Sequence, residues 1–470
     1  MNRITRKSCL FAIIFASLFV THALGAAIDP PRRPHNVKPF HNGNLELQRR
    51  ANEPFFEIDV KSLNANSPIS ELCKKDLHVI ESSHDLFHLQ NQCEFILGSL
   101  KVTNYDSNIL DLNSLRAIGG DLIIQDSPEL IRIQAGNLNK IEGLFQLQGL
   151  TSLVSVEIPT LKFCQSLEWK VVPILNYVSM DSQNIEIIKD IVISDTSLAN
   201  IENFNKVQEI DTFNINNNRF LETIHSNVKT IRGQFSVHAN AKELELEMPH
   251  LREVENITIR DTSLVYLPQL TKVKSSLEFI ENYFYELNLN NLQKIGGTLG
   301  IINNVNLIKV NLENVTDIQG GLMIADNESL EDITFLPNLK QIGGAIFFEG
   351  SFKDIMFDSL KLVKGSAFIK SSSNVLDCNK WTNPSNGRSI IRGGKFTCIS
   401  GKKENTLNVK QDGTIIEKGY KDLTQEGEDS KKRVISKYAN SANPSMQLDP
   451  PSFLVHALLL CYCFKITSLV

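Results

Sequence analysis

The chain has no excess of basic charge. Against 53 Asp and Glu stand 48 Lys and Arg, for a net charge of -5, so the cationic face that nucleic acid demands is not expected. Proline (16) and glycine (25) are too few among 470 residues for a low-complexity chain. No nucleophile elbow, phosphate-binding loop, HExxH or paired CxxC occurs, so the usual signatures of hydrolase, nucleotide, zinc and thiol-redox chemistry are missing. No cofactor and no metal is expected. Hydrophobic residues, 42% of the chain, come in short pulses, and no helix-length segment of 3.6-residue period fits between them.

The two ends are addresses. Arg3, Arg6 and Lys7 precede an apolar run at 9–20, followed by Ala23-Leu24-Gly25. This is the order of a secretory signal cleaved after Gly25; a signal anchor would need an apolar run of roughly 18 or more residues. At the other end Asn440-Ser441-Ala442 precede a polar spacer and the apolar segment FLVHALLLCYCF at 453–464. Small triplet, spacer and terminal tail form a GPI-attachment signal, with Asn440 as the anchor residue and Ser441 or Ala442 as alternatives. A transmembrane helix is the rival reading, and would need about 20 apolar residues. Arg49-Arg50 and Lys432-Arg433 are either processing sites or solvated charge.

What the middle of the chain does have is a repeat. Residues 295–330 state IGGTLGI and IQGGLMI in succession, each followed by paired Asn/Asp and a Leu. Taking one apolar residue per turn gives Ile96, Ile118, Ile141, Phe163, Ile188, Ile210, Ile231, Val254, Val273, Ile295, Ile318, Ile342 and Val363, spaced 19 to 25 residues apart. Each mark opens a short strand with two inward apolar residues, from Leu100/Val102 through Leu299/Ile301 to Ala367/Ile369. Asp and Asn recur just after the strands, at Asp195, Asn217, Asp261, Asn303 and Asp326, where short polar side chains tolerate left-handed corners and stack between coils. The expected fold is all-β, a parallel β-solenoid of about thirteen coils akin to a leucine-rich repeat without its helix.

Solenoid ends expose core and must be capped. Leaving out Cys9, Cys461 and Cys463 in the terminal segments, five cysteines remain, and Cys73/Cys93 bracket the entrance as Cys378/Cys398 bracket the exit. In an oxidising secretory compartment these two pairs are expected to be disulfides, with Cys164 left as a buried thiol. The expected organisation is a signal peptide (1–25), a polar arm (26–72), the solenoid (73–398), a charged solvated linker (399–440) and a removed propeptide (441–470). Within 59–92, short helices are expected to cover the first coil.

VISDTSL (192–198), FNINNNRFLE (213–222), NITIRD (256–261), LGIINN (299–304), GGLMIADN (320–327), GGAIFFEGSF (343–352) and SSSNVLDC (371–378) resemble the fungal GPI-anchored cell-wall protein family. The match spans about 73–398 plus both terminal signals, and the chain looks most like the sporulation-specific members. The resemblance implies receptor-L-domain-like repeats, N-glycosylation, attachment at the plasma membrane or wall, and a part in organising wall glucan and mannoprotein, for the sporulation members the β-glucan layer of the spore wall. Wall polysaccharide (β-glucan) or wall proteins are the implied partners, with the membrane reached through a GPI lipid. The family's Ser/Thr-rich stalk is absent: 401–440 is rich in Lys, Glu and Asp.

Glycan acceptors are expected at Asn256, Asn314 and Asn327, with Asn256 at an outward strand position and Asn327 accessible at a corner; Asn383 and Asn443 are excluded by the prolines that follow. A wall-remodelling enzyme needs paired carboxylates in a groove. Asp195, Asp261 and Asp326 sit on separate coils and fit turn duty, and His238 is a lone outward histidine, so no catalytic residue is assigned. The outward column Gly300, Met323, Phe347 and Phe368 is apolar where a solvent-facing column should be polar. It is either a contact surface or is covered by 407–416 folding back.

Overall fold

The computed structural model describes residues 70–181, 185–202, 204, 206–382 and 388–423, all within one compact unit, Asn64–Val470. The expected signal peptide, most of the polar arm, Asn440 and the C-terminal tail lie outside the described residues.

A single parallel ladder carries the fold. It begins at Leu77–Ile80, pairs next with Ser99–Thr103, and runs coil by coil to Ala367–Ser371 and Gly394–Ser400. Alternation along each strand sends every second side chain inward. Leu100 therefore lies over Leu122, then Phe145, Leu167, Ile191 and Phe213, and the series closes on Ala367 and Phe396. The second inward series runs in the same way from Val102 to Ile369 and Cys398. None of the expected inward pairs is more than 2% exposed. At roughly 1.5–3 kcal/mol for each fully buried large aliphatic or aromatic side chain, these two columns dominate the favourable side of folding.

The marks form a third buried column, with one correction. In the fourth coil Cys164 pairs with Ile141 and Phe163 pairs with Lys140, so the thiol occupies the core position. Phe163 faces outward, with the Lys140 ammonium 5.4 Å from its ring centroid. The coil is one residue shorter here than the one before it, Cys164 to Ser166 lying opposite Ile141 to Leu144, and that shortening brings the thiol rather than Phe163 into the column. Burial pushes the Cys164 thiol up to about 12, so it is a packing group and not a nucleophile.

A second wall went unread in the sequence. Ile109–Asp111, Arg132–Gln134, Ser155–Glu157 and Tyr177–Ser179 form one parallel ladder, and Asn200–Ile201, Thr223–His225, Leu244–Glu247 and Thr262–Tyr266 form another. Leu110, Ile133 and Val156, and then Ile224 and Leu246, close the core from that side.

Both disulfides form, Cys73 to Cys93 and Cys378 to Cys398. At the entrance the pair holds the short 3-10 turn Glu71–Lys74 against the chain leaving helix Ser83–Gln90. That helix begins with Ser82 and Asp85 in a reciprocal capping box and buries Leu86 and Leu89. At the exit Trp381 stacks on Phe396, with ring centroids 5.9 Å apart.

The expected linker is the main correction. After the turn at Gly401 (φ +55°) the chain reverses, and Lys403–Val409 lies antiparallel on Gly394–Ser400. Ile415–Asp422 then lies antiparallel on Lys403–Val409. Leu407 and Val409 are 1% and 5% exposed, so alternation, which the charge count concealed, specifies a strand here. The alternative to a contact surface, 407–416 folding back over the outward column, does not occur in this geometry. Thr406 pairs with Thr397, which pairs with Phe368, so the segment extends the sheet sideways.

Candidate binding surface

The corners set the strands in register. Asp126, Asp195, Asn217, Asp261, Asn303 and Asp326 all have φ between +49° and +58°, a region that Asp and Asn tolerate best among side-chain-bearing residues. The three aspartates weighed as catalytic, Asp195, Asp261 and Asp326, are thus corner residues on separate coils. The residue after each corner turns inward. Asn282, Asn304 and Asn327 are fully buried, each Oδ1 accepting the backbone N–H of the preceding coil. Their amide nitrogens donate to the carbonyls of Ile259, Phe279 and Ile301. Thr196, Asn218 and Asn240 make a similar ladder. Like residues at a 22- or 23-residue interval thereby satisfy polar groups that would otherwise be stranded in the core.

This overturns the expected glycan at Asn327. Its Nδ2 donates to the Ile301 carbonyl at 2.8 Å and the residue has no exposed surface, so a sugar has no room. The other two acceptors differ. Asn314 is exposed, and its Nδ2 donates to the Asn290 carbonyl at 2.6 Å, a bond that the one hydrogen left after glycosylation can keep. Asn256 is half-buried at its outward strand position, with Oδ1 accepting from the Ser276 N–H at 3.2 Å.

On the outward face, Gly300, Met323, Phe347 and Phe368 fall in one register, each opposite the next. The Phe347 and Phe368 rings are stacked, with centroids 5.4 Å apart and planes 18° off parallel. A flanking column that sequence reasoning missed adds the half-buried Ile280 and Ile302, beyond which Ala325 is fully buried. Its signal was present as the residue after each second inward position. Polar groups border the platform: Lys370 pairs with Glu349 at 2.7 Å on one side, and Thr397 follows Phe368.

Glu278 precedes Gly300 in the column. Burial raises its carboxyl above the usual range, and Arg260 nearby works against that shift. A Cβ on Gly300 would lie 3.4 Å from Glu278 Cγ and 3.6 Å from Ile302 Cδ1. Gly300 therefore leaves a shallow notch between a carboxyl and the apolar platform. His238, two coils earlier in the flanking column, is half-buried beside Arg260; burial first and then Arg260 lower its pKa, which favours the neutral ring. Among the described residues no group of three or more His, Cys, Asp or Glu is placed to hold a metal ion, and no helix is long and apolar enough to cross a membrane. The arrangement offers a flat, partly aromatic strip with a polar rim, one side chain per strand at about 4.8 Å spacing.

No protein-family model matches the chain. It is 99% identical over 453 residues to sporulation-specific protein 22 of Saccharomyces cerevisiae, an alignment that covers 96% of this chain and 98% of that one. It is 44% identical to sporulation-specific protein 2 of the same yeast, over 97% of this chain and 91% of that one. A cell surface GPI-anchored protein of Arthroderma benhamiae is 30% identical over 69% of this chain and 82% of its own length.

Proposed function

The chain belongs to the fungal family of GPI-anchored cell-wall proteins, and on that footing we propose that it organises the β-glucan layer of the spore wall without catalysing a reaction. The spore stage rests on the two relatives named as sporulation-specific. The surface location rests on the family, and Asn440 is the proposed anchor residue. The observation that carries the glucan reading is the platform of Met323, Phe347 and Phe368. Sugar rings present C–H faces that pack on aromatic and aliphatic surface, and the strand spacing is close to the length of one sugar in an extended glucan. The half-buried rim carboxylates Glu278 and Glu349 supply hydrogen-bond partners for hydroxyls. A non-catalytic role is supported by the corner positions of Asp195, Asp261 and Asp326, since glycoside hydrolysis uses two carboxylates facing one bond.

The test is co-sedimentation of the secreted, tail-less protein with insoluble β-1,3-glucan. Wild type should sediment with the glucan. Phe347→Ser with Phe368→Ser should lose most of that binding while keeping its disulfides and its β-sheet circular dichroism. Retained binding by the folded double variant would remove the platform from the account. New reducing ends in the same incubation would replace it with a carbohydrate-active enzyme.

A further inference from the structure

Among the described residues the second wall falls into four separate ladders, within 109–179, 200–266, 286–311 and 332–355, and the first of its breaks carries a cavity. Tyr177–Ser179 ends the first ladder, pairing only with Ser155–Glu157, and Asn200–Ile201 starts the next, pairing only with Thr223–Ile224. On the main sheet the same two coils remain paired without a break, Leu167 opposite Ile191 and Trp169 opposite Ile193. The wall therefore parts over a closed sheet, and a cavity of about 270 Å³ opens between the strand ends. Its floor includes Trp169, Met180, Leu198 and Phe204, exposed by 1%, 7%, 7% and 1%. Its rim carries the exposed side chains of Asn176 and Asn200.

Trp169, a lining residue, carries an unsatisfied polar atom. Trp169 Nε1 is buried and has no hydrogen-bond partner among the described residues, while the ring is fixed edge-on to Phe145 at 5.8 Å. Buried tryptophans normally place this N–H on an acceptor. An ordered buried water wants two to four polar partners, whereas the buried lining beside Trp169 is the apolar Met180, Ile193, Leu198, Ile201 and Phe204, and the polar side chains Asn176, Tyr177 and Asn200 are exposed. What fits is a molecule that brings its own acceptor and is otherwise apolar. We propose that this cavity binds a compact, mainly apolar small molecule bearing one hydrogen-bond acceptor oxygen, which takes the Trp169 N–H. The site is separate from the outward platform and independent of the wall-glucan reading.

The chain has two tryptophans, so Trp381→Phe leaves Trp169 as sole reporter in the tail-less secreted protein. Camphor, an apolar cage with one carbonyl, should change Trp169 fluorescence saturably. Bornane, the same cage without the oxygen, should bind about tenfold more weakly, the value of one hydrogen bond to an otherwise orphaned donor. Calorimetry on the unsubstituted protein repeats the comparison without disturbing the exit stack. Ala199→Phe, at an exposed rim position, should block camphor while leaving circular dichroism unchanged. The proposal is overturned if camphor gives no saturable response, if bornane binds as well, if the folded Ala199→Phe variant binds camphor as wild type does, or if methyl β-D-glucopyranoside saturates the site in its place.

Discussion

An asparagine just after a strand can serve two incompatible purposes, and only its neighbours one coil away decide between them. Asn327 and Asn314 both read as glycan acceptors because the acceptor motif is local. The partners that bury Asn327, the Asn304 N–H and the Ile301 carbonyl, lie 23 and 26 residues back, beyond any local window. The recurrence of Asx at the corner was legible; its second residue turning inward was not. The same limit explains Phe163, where adjacent Phe and Cys compete for one core position and a ladder irregularity decides for the thiol. The expected outcome is that Asn256→Gln and Asn314→Gln each remove one glycan increment from the secreted protein on gel mobility before and after endoglycosidase. Asn327→Ala should remove none, and should instead destabilise by about 1–3 kcal/mol because the Asn304 N–H loses its acceptor. A glycan-sized mass loss in Asn327→Ala would show that the ladder does not exist in the secreted molecule.

Elements were legible in proportion to their length and their contrast. Main-sheet strands have inward residues repeated on coil after coil, so a single weak coil is rescued by its neighbours. The second wall is built of strands such as Asn200–Ile201 and Asp332–Ile333, too short for a period of two to register. Lys403–Val409 was hidden for another reason: its outward positions, Glu404, Thr406 and Asn408, are all polar, which is how an edge-proximal strand guards against pairing with other chains. This gives the hairpin 403–422 a definite role. It covers the last parallel strand, laying Leu407 opposite Phe396. Ending the chain at Ser400 should leave the Gly394–Ser400 edge unpaired, speed exchange of its amides and produce self-association on light scattering. A truncated protein that stays monomeric with those amides still protected would mean that the disulfide between Cys378 and Cys398 caps the exit unaided.

At the scale of the molecule, solenoid architecture turns sequence position into distance, because every coil advances one strand spacing. A ligand lying along the outward column is therefore measured in coils. From Glu278 through Gly300, Met323 and Phe347 to Phe368 the surface changes from carboxyl to notch to stacked rings, a run that no single motif records. An extended glucan following it gains one packing contact for each additional sugar until it passes Phe368 and meets Thr397 and Thr406, where apolar contact ends. Affinity for β-1,3-gluco-oligosaccharides should thus climb with length and level off at about five sugars, one per strand of that run. Gly300→Ala, which places a methyl in the notch at ordinary contact distance from Glu278 Cγ and Ile302 Cδ1, should weaken the longest oligosaccharides most and leave folding unimpaired, since alanine costs a strand less than glycine does. Calorimetric titration with a length series checks both. Affinity that is independent of length would point to recognition of a chain end, and the outward column would then not be the surface on which the polymer lies.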